Sequence, residues 1–308
     1  MAEHFTAQVS AFLSAHAWAL FTIAAATAQT ARNAMQRGLT AKVGVAGASW
    51  ARFIFALPFA LLSLAAVLAY EAGHVFFENG YASWLLLGSF AQMAATATML
   101  LAMRDRSFVT VIAYTKTEPI QVALFALVLL GERLSPLKTF AVLIGTIAVM
   151  LFSWPRKGAH AARDVRSAAW GILAGAGFAL AAVGYRGAIT HIVGASFFTA
   201  ATVTLAATLC IQTILSIAWL ALADREALRT LFVAWQQSVP AGFAGALAPQ
   251  FWFLAFALQA APAVRTLGLI EVLFAQAVSW RFLREKMTAR EWLAMALLLV
   301  ALVAILQG

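Results

Sequence analysis

The sequence predicts an all-α polytopic membrane protein: ten transmembrane helices in two five-helix inverted repeats, residues 1–154 and 155–308, forming one integral membrane unit. Three observations carry this reading. The chain is 63% hydrophobic and 11% charged, with mean hydropathy +0.88, and a soluble domain of this size cannot hide that much apolar surface. The apolar stretches are continuous and about 20 residues long, enough for a helix to cross the hydrocarbon core, whereas a membrane β-barrel would alternate. The third is self-similarity. From Tyr114 to Leu151 two apolar runs flank a polar hinge, Gly131-Glu132-Arg133-Leu134-Ser135-Pro136, and Leu267 to Ile305 repeats the pattern. An offset of 153 places Glu132 on Glu285, Glu118 on Glu271, Arg133 on Lys286 and Ser135 on Thr288. That offset is half the chain, the mark of a tandem repeat.

The spans are expected at His16–Gln36, Val45–Ala69, Ser83–Met103, Ser107–Leu130, Pro136–Trp154, Ser167–Gly187, Ala195–Ala223, Ser238–Leu258, Pro262–Leu283 and Thr288–Leu306. Pro136 suits the first turn of its helix, where its missing N–H has no partner to lose. Connections are short, which leaves no room for a soluble catalytic domain. The polar stretch Pro155–Arg166 separates the halves, and five spans per half put the repeats in opposite orientations. Trp18 and Trp170 fall at near-equivalent places in the first and sixth spans. The single Cys210 lies in an apolar run, so no intramolecular disulfide forms. The N-terminal MAEHFTAQVS lacks a basic region and is expected to be retained.

The net charge of +9 reads as topology rather than nucleic-acid binding. One side carries three cations, Arg133, Lys138 and Arg186. The other carries fifteen, namely Arg32, Arg37, Lys42, Arg104, Arg106, Arg156, Lys157, Arg163, Arg166, Arg225, Arg229, Arg281, Arg284, Lys286 and Arg290. The positive-inside rule then places both termini outside the cytoplasm.

Polar residues inside the spans are the candidate functional groups, because mid-bilayer charges cost roughly 2.5–3.5 kcal/mol each and persist where they face a cavity or a partner. Glu118 and Glu271 occupy pseudo-equivalent positions, with Lys116 and Arg265 in the same two spans. Either the carboxylates bind a substrate ammonium or a proton, or they pair with Lys116 and Arg265 and fix a helix crossing. The first span has a polar stripe of Trp18, Thr22, Gln29, Asn33 and Gln36, and the third carries Ser89, Gln92 and Thr96. Tyr185 in the sixth span and Gln250 and Trp252 in the eighth complete polar faces that suit a water-accessible cavity. Pro119 is expected to kink the fourth span and Pro249 to break the eighth similarly, each acting as a hinge. The glycine runs at 171–177 and 242–245 are expected to mark close helix packing. There is no phosphate-binding loop or plausible Ser/His/Asp set, and the five histidines are scattered. No enzyme activity, metal or cofactor is expected.

Two five-span halves, each ending in a helix–turn–helix around a glutamate, resemble the drug/metabolite transporter superfamily, specifically its EamA-type members. The matching residues are Leu130-Gly131-Glu132-Arg133-Leu134, Gly145, Pro119 thirteen positions before that glutamate, and Leu283-Arg284-Glu285-Lys286-Met287. Within the superfamily the chain is similar to YddG-like amino-acid exporters of bacterial inner membranes. The resemblance implies alternating access around a central cavity lined by spans one, three, four, six, eight and nine. It also implies cytoplasmic termini, the reverse of the charge count. The second repeat departs from the pattern, with Arg284 for the glycine and Val272 for the proline, so span four is expected to bend more than span nine. The first span has no Asp or Glu, so the proton-coupling carboxylate of small multidrug resistance relatives is not carried over.

The expected function is export of amino acids or similar small zwitterions by a monomer in a bacterial inner membrane. The substrate-binding candidates are Gln29, Asn33, Gln92, Thr96, Tyr114, Glu118, Tyr185, Gln250, Trp252 and Glu271. Met99 and Met103 would suit apolar cargo side chains. The alternatives are another cargo (a sugar, nucleobase or drug), or a membrane anchor or assembly subunit without cargo.

Overall fold

A computed structural model describes residues 15–32, 47, 49–71, 74–105, 111, 114–153, 165–233, 235–278 and 287–308. Asn33, Arg284, Glu285 and Lys286 lie outside the described residues. The described residues are almost entirely helical. In order it forms α1 (15–32), α2 (Ser49–Tyr70), β1 (Phe76–Phe77), α3 (Tyr81–Asp105), α4 (Glu118–Leu130), α5 (Pro136–Ser153) and α6 (Val165–Thr190). Then follow β2 (Ile192–Val193), α7 (Phe197–Ala223), α8 (Arg225–Val233), α9 (Trp235–Leu258), α10 (Ala261–Leu267), α11 (Ile270–Val278) and α12 (Ala289–Gln307).

Among the described residues six helices are long and apolar enough to cross a membrane: Ser49–Tyr70, Pro136–Ser153, Ala168–Thr190, Phe197–Ala223, Ser238–Leu258 and Ala289–Gln307. Their outward faces expose large apolar side chains, including Leu62, Ile214, Leu222 and Val303. Such a surface suits lipid tails and not water. This is a multi-pass integral membrane protein.

The expected helix ends have physical causes. Gly131 closes α4 in the left-handed conformation, φ 67°, with its N–H and that of Glu132 both turned back on the Ala126 carbonyl. Ser135 Oγ then accepts the Lys138 N–H and opens α5. Thr288 Oγ1 accepts the Glu291 N–H and opens α12, and Glu291 returns a bond to the Thr288 N–H in a capping box.

One expectation of continuity fails. The ninth span, predicted over Pro262–Leu283, is divided at Gly268–Leu269 into α10 and α11. Span four, expected to kink at Pro119, is interrupted at Lys116–Thr117, directly before α4 begins, and α2 carries a similar turn at Phe55–Ala56, just ahead of Pro58. Span nine therefore breaks without a proline. Conversely, α9 runs uninterrupted through both Pro240 and Pro249, so Pro249 does not divide its helix. The segment after Asp224, read as connection, forms the amphipathic helix α8, capped by Asp224 on the Ala227 N–H.

Glycine lets the helices approach closely. A Cβ on Gly184 would lie 2.6 Å from the Gly88 amide nitrogen, so α3 and α6 cross backbone to backbone. On α6, Gly171 and Gly175 press on the carbonyls of Val111 and Thr115, just ahead of the interruption in the fourth span. On α9, Gly242 and Gly245 press on the carbonyls of Phe55 and Arg52 in α2. The other pairings include α5 with α12, α2 with α7, and α4 with α10.

One end of the helix assembly is stapled by its connections. Strands β1 and β2 pair antiparallel, Phe76 opposite Val193 and Phe77 opposite Ile192. Next to them the Glu71 carboxylate accepts from Ser196 Oγ at 2.7 Å and from the Thr199 hydroxyl. These hydroxyls hold its carboxyl below the usual glutamate range.

Candidate functional site

The interruptions of the fourth and ninth spans face each other, and the charges beside them exchange across the contact. At each, backbone N–H groups fall back to carbonyls three residues earlier: Thr117 to Tyr114, and Leu269 to Thr266, Glu271 to Gly268 and Val272 to Leu269. In the fourth span Pro119, second residue of α4, has no N–H to restore the α-helical pattern. In the ninth, Trp252 lies against Gly268, where any Cβ would collide with the indole. The tight turn admits the ring.

A continuous network joins α1, α4, α9, α10 and α11 here. Arg265, in α10, donates through Nε to Glu118 Oε1 at 2.7 Å, and its Nη2 reaches the same oxygen. Lys116 donates to Glu271 Oε1 at 2.7 Å. The other Glu271 oxygen accepts from Gln29 Nε2 at 2.8 Å, and Gln29 Oε1 accepts from Trp252 Nε1 at 3.1 Å. The Arg265 guanidinium lies 4.8 Å from the centroid of the Trp252 ring, closing the chain of contacts. Two cations meet two carboxylates, so the network is neutral. Six of the residues singled out in the sequence belong to it: Gln29, Lys116, Glu118, Trp252, Arg265 and Glu271.

The remaining candidates are distributed differently. Thr96 is buried and accepts from Arg52 Nη2 at 2.8 Å, while its hydroxyl donates to the Gln92 carbonyl. Tyr185 is buried, accepts from Gln212 Nε2 at 3.0 Å and stacks on Phe253 at 4.6 Å between centroids. Gln250 donates to Thr202 Oγ1 at 3.0 Å, and its own carbonyl oxygen is buried without a partner. Tyr114 packs beside Gly171. The hydrogen bonds of Thr96, Tyr185 and Gln250 thus run to Arg52, Gln212 and Thr202 rather than to the ion-paired network. The Arg32 guanidinium is near enough to Glu271, and to Arg52, to act on each electrostatically.

Sequence reading passed over four residues that matter. Arg52 lies in α2 amid an apolar run, where a census of loop cations does not reach it. Gln212 and Thr202 belong to a buried polar face on α7. Arg186 was counted as a helix-end cation. It pairs with Glu132 at 2.8 Å and donates to the carbonyls of Phe256 and Ala257, tying the polar hinge to α6 and α9. A single charged or amide side chain within an otherwise apolar span is the signal that finds Arg52 and Gln212. No group of three or more metal-ligating side chains occurs among the described residues.

Comparison with known proteins gives fold similarity alone. No family model and no curated protein matches the chain. Solved chains that match number 26. One of them, described as "Crystal structure of protein", superposes with TM-score 0.67 over 94% of this chain and 97% of its own, at 15% sequence identity. The arrangement of helices is thus one that a solved protein also adopts.

Proposed function

We propose that this chain is a transporter, related to the EamA-type drug/metabolite carriers, that exports amino acids or similar small zwitterions by alternating access. The observation that carries this reading is the pair of interrupted spans. They break within one residue of positions related by the 153-residue offset, and each sends its carboxylate to a cation of the other. Discontinuous helices at corresponding places in two halves are the strongest structural pointer to a solute site at the membrane midplane. Broken backbone is tolerated there only inside protein or beside a water-filled path.

Two further observations support the inverted repeat. Ser135 and Thr288, aligned by the offset, both cap their helices through the N–H three residues on. Equivalent spans of the two halves also pack on one another: α2 on α7, the fourth span on the ninth through α4 and α10, and α5 on α12.

The chemistry available at the crossing suits an ammonium. Glu271 is held by one lysine ammonium and one amide donor, and its side chain is 22% exposed. A substrate ammonium is the same functional group as Lys116 Nζ and can take its place at the carboxylate. That exchange would unlink the fourth span from the ninth, so occupancy and helix movement are coupled through one contact. The backbone contacts at Gly184 and Gly242 provide smooth surfaces for such a movement. The carrier works as a monomer in a bacterial inner membrane and makes or breaks no covalent bond.

Counterflow in proteoliposomes tests the reading. Vesicles are loaded with one amino acid, and entry of labelled threonine, methionine and phenylalanine is followed. Saturable entry competed by other amino acids is the expected result. Absence of flux with folded protein would overturn the amino-acid assignment and direct the same assay to sugars, nucleobases and cationic drugs.

A further inference from the structure

Three carboxylates of the helix assembly are each matched by a cation: Glu118 by Arg265, Glu271 by Lys116 and Glu132 by Arg186. Arg52 is a fourth partner-seeking cation, and among the described residues no carboxylate lies within ion-pairing distance of it. Its guanidinium rests 4.6 Å from the Phe53 ring centroid, with Nη2 on the Thr96 hydroxyl and Nε buried without an acceptor. A guanidinium has five N–H donors, and an uncompensated one in a low-dielectric interior is costly. Arg32 adds a second positive charge to its surroundings and raises that cost.

We propose that Arg52 is the seat for the carboxylate of the transported solute. This rests on the transporter reading above and names the recognition element that the ion-paired network lacks. The planar fork of arginine matches a carboxylate through two parallel hydrogen bonds, which a lysine cannot reproduce. Thr96 aims the fork. Its hydroxyl proton is committed to the Gln92 carbonyl, so its oxygen accepts from Arg52 and fixes the guanidinium on one side. The Phe53 ring lies against the guanidinium and leaves its remaining donors unmatched.

The test uses 3-phenylpropionate and its uncharged amide as probes on the full-length protein in detergent. The acid is expected to raise the thermal unfolding midpoint of the wild type while the amide leaves it unchanged, since a ligand stabilises the folded state by mass action. Arg52→Gln is expected to lose the shift, Arg52→Lys to keep part of it, and Thr96→Val to weaken it. In counterflow of labelled phenylalanine, the acid should compete about tenfold more strongly than the amide in the wild type, the value of one charge-assisted pair, and about equally in Arg52→Gln. Equal stabilisation by acid and amide, or undiminished stabilisation of Arg52→Gln by the acid, would overturn the assignment. Acid-specific stabilisation that depends on Arg52, without saturable flux, would keep the carboxylate seat and remove the transporter reading. Saturable flux with no acid preference would do the reverse.

Discussion

Two charged centres occupy the interior of this protein, and they solve the same electrostatic problem in opposite ways. At the crossing of the interrupted spans, Lys116, Glu118, Arg265 and Glu271 neutralise one another within hydrogen-bonding distance, with Gln29 and Trp252 filling the remaining valences. At Arg52 a single hydroxyl and an aromatic face attend a whole positive charge. A fold shaped for stability alone would complete the second centre as it completed the first. The difference teaches that paired charges set the framework, whereas an incompletely satisfied one leaves a place for something that arrives.

The largest effect should come from halving a pair. Arg186→Met leaves Glu132 without its cation and two carbonyls without their donor, and should destabilise the protein by roughly 3–5 kcal/mol, the usual cost of orphaning a buried charge. Unfolding in a denaturant series measures this. Glu118→Gln should cost about 3 kcal/mol for the same reason, while Glu118→Gln combined with Arg265→Gln should recover a good part of that loss. A double mutant that is simply the sum of its parts would show that the two groups do not act as a pair.

Arg52 should behave in the contrary sense. Arg52→Gln removes an uncompensated charge, so its stability should stay within about 1 kcal/mol of the wild type or rise, even as carboxylate recognition is lost. A loss comparable to that of Arg186→Met would make Arg52 part of the framework and erase the contrast. Between these extremes, Gly184→Ala forces a methyl into the Gly88 backbone and should cost about 1–3 kcal/mol without changing cargo preference.

The smallest effect concerns the stapled end. Folding depresses the Glu71 carboxyl through its bonds to the Thr199 and Ser196 hydroxyls. A depressed carboxyl contributes stability above its ordinary titration range and loses that contribution as pH falls through the folded value. The stability of the wild type should therefore decline more on acidification than that of Glu71→Gln, with the two curves converging at low pH. Parallel curves would remove Glu71 from the account.

Much of this was legible in the chain itself. The membrane class follows from composition, and the 153-residue offset picked out Glu118 and Glu271 before any geometry was known. Pairing with Lys116 and Arg265 was one of two readings available. Which carboxylate meets which cation was not legible, because the crossing depends on how the fourth and ninth spans face each other. Proline was an unreliable guide to where helices divide. Pro119 marks a real interruption, Pro249 sits in an unbroken helix, and the ninth span divides at Gly268, where a tryptophan from α9 demands room. That last cause lies sixteen residues away in the chain and has no local signature. Arg52 was visible as a letter, but its significance required knowing that every nearby carboxylate had already been taken.

The central claim is that solute passes beside the neutral network. Cysteine accessibility examines it most directly, using Gln29→Cys in a Cys210→Ser background in membrane vesicles. A small hydrophilic thiol reagent should label residue 29 in the folded protein, and saturating phenylalanine should slow that labelling several-fold. Failure to label until the protein is denatured would show a sealed core at the crossing of the interrupted spans and contradict the account.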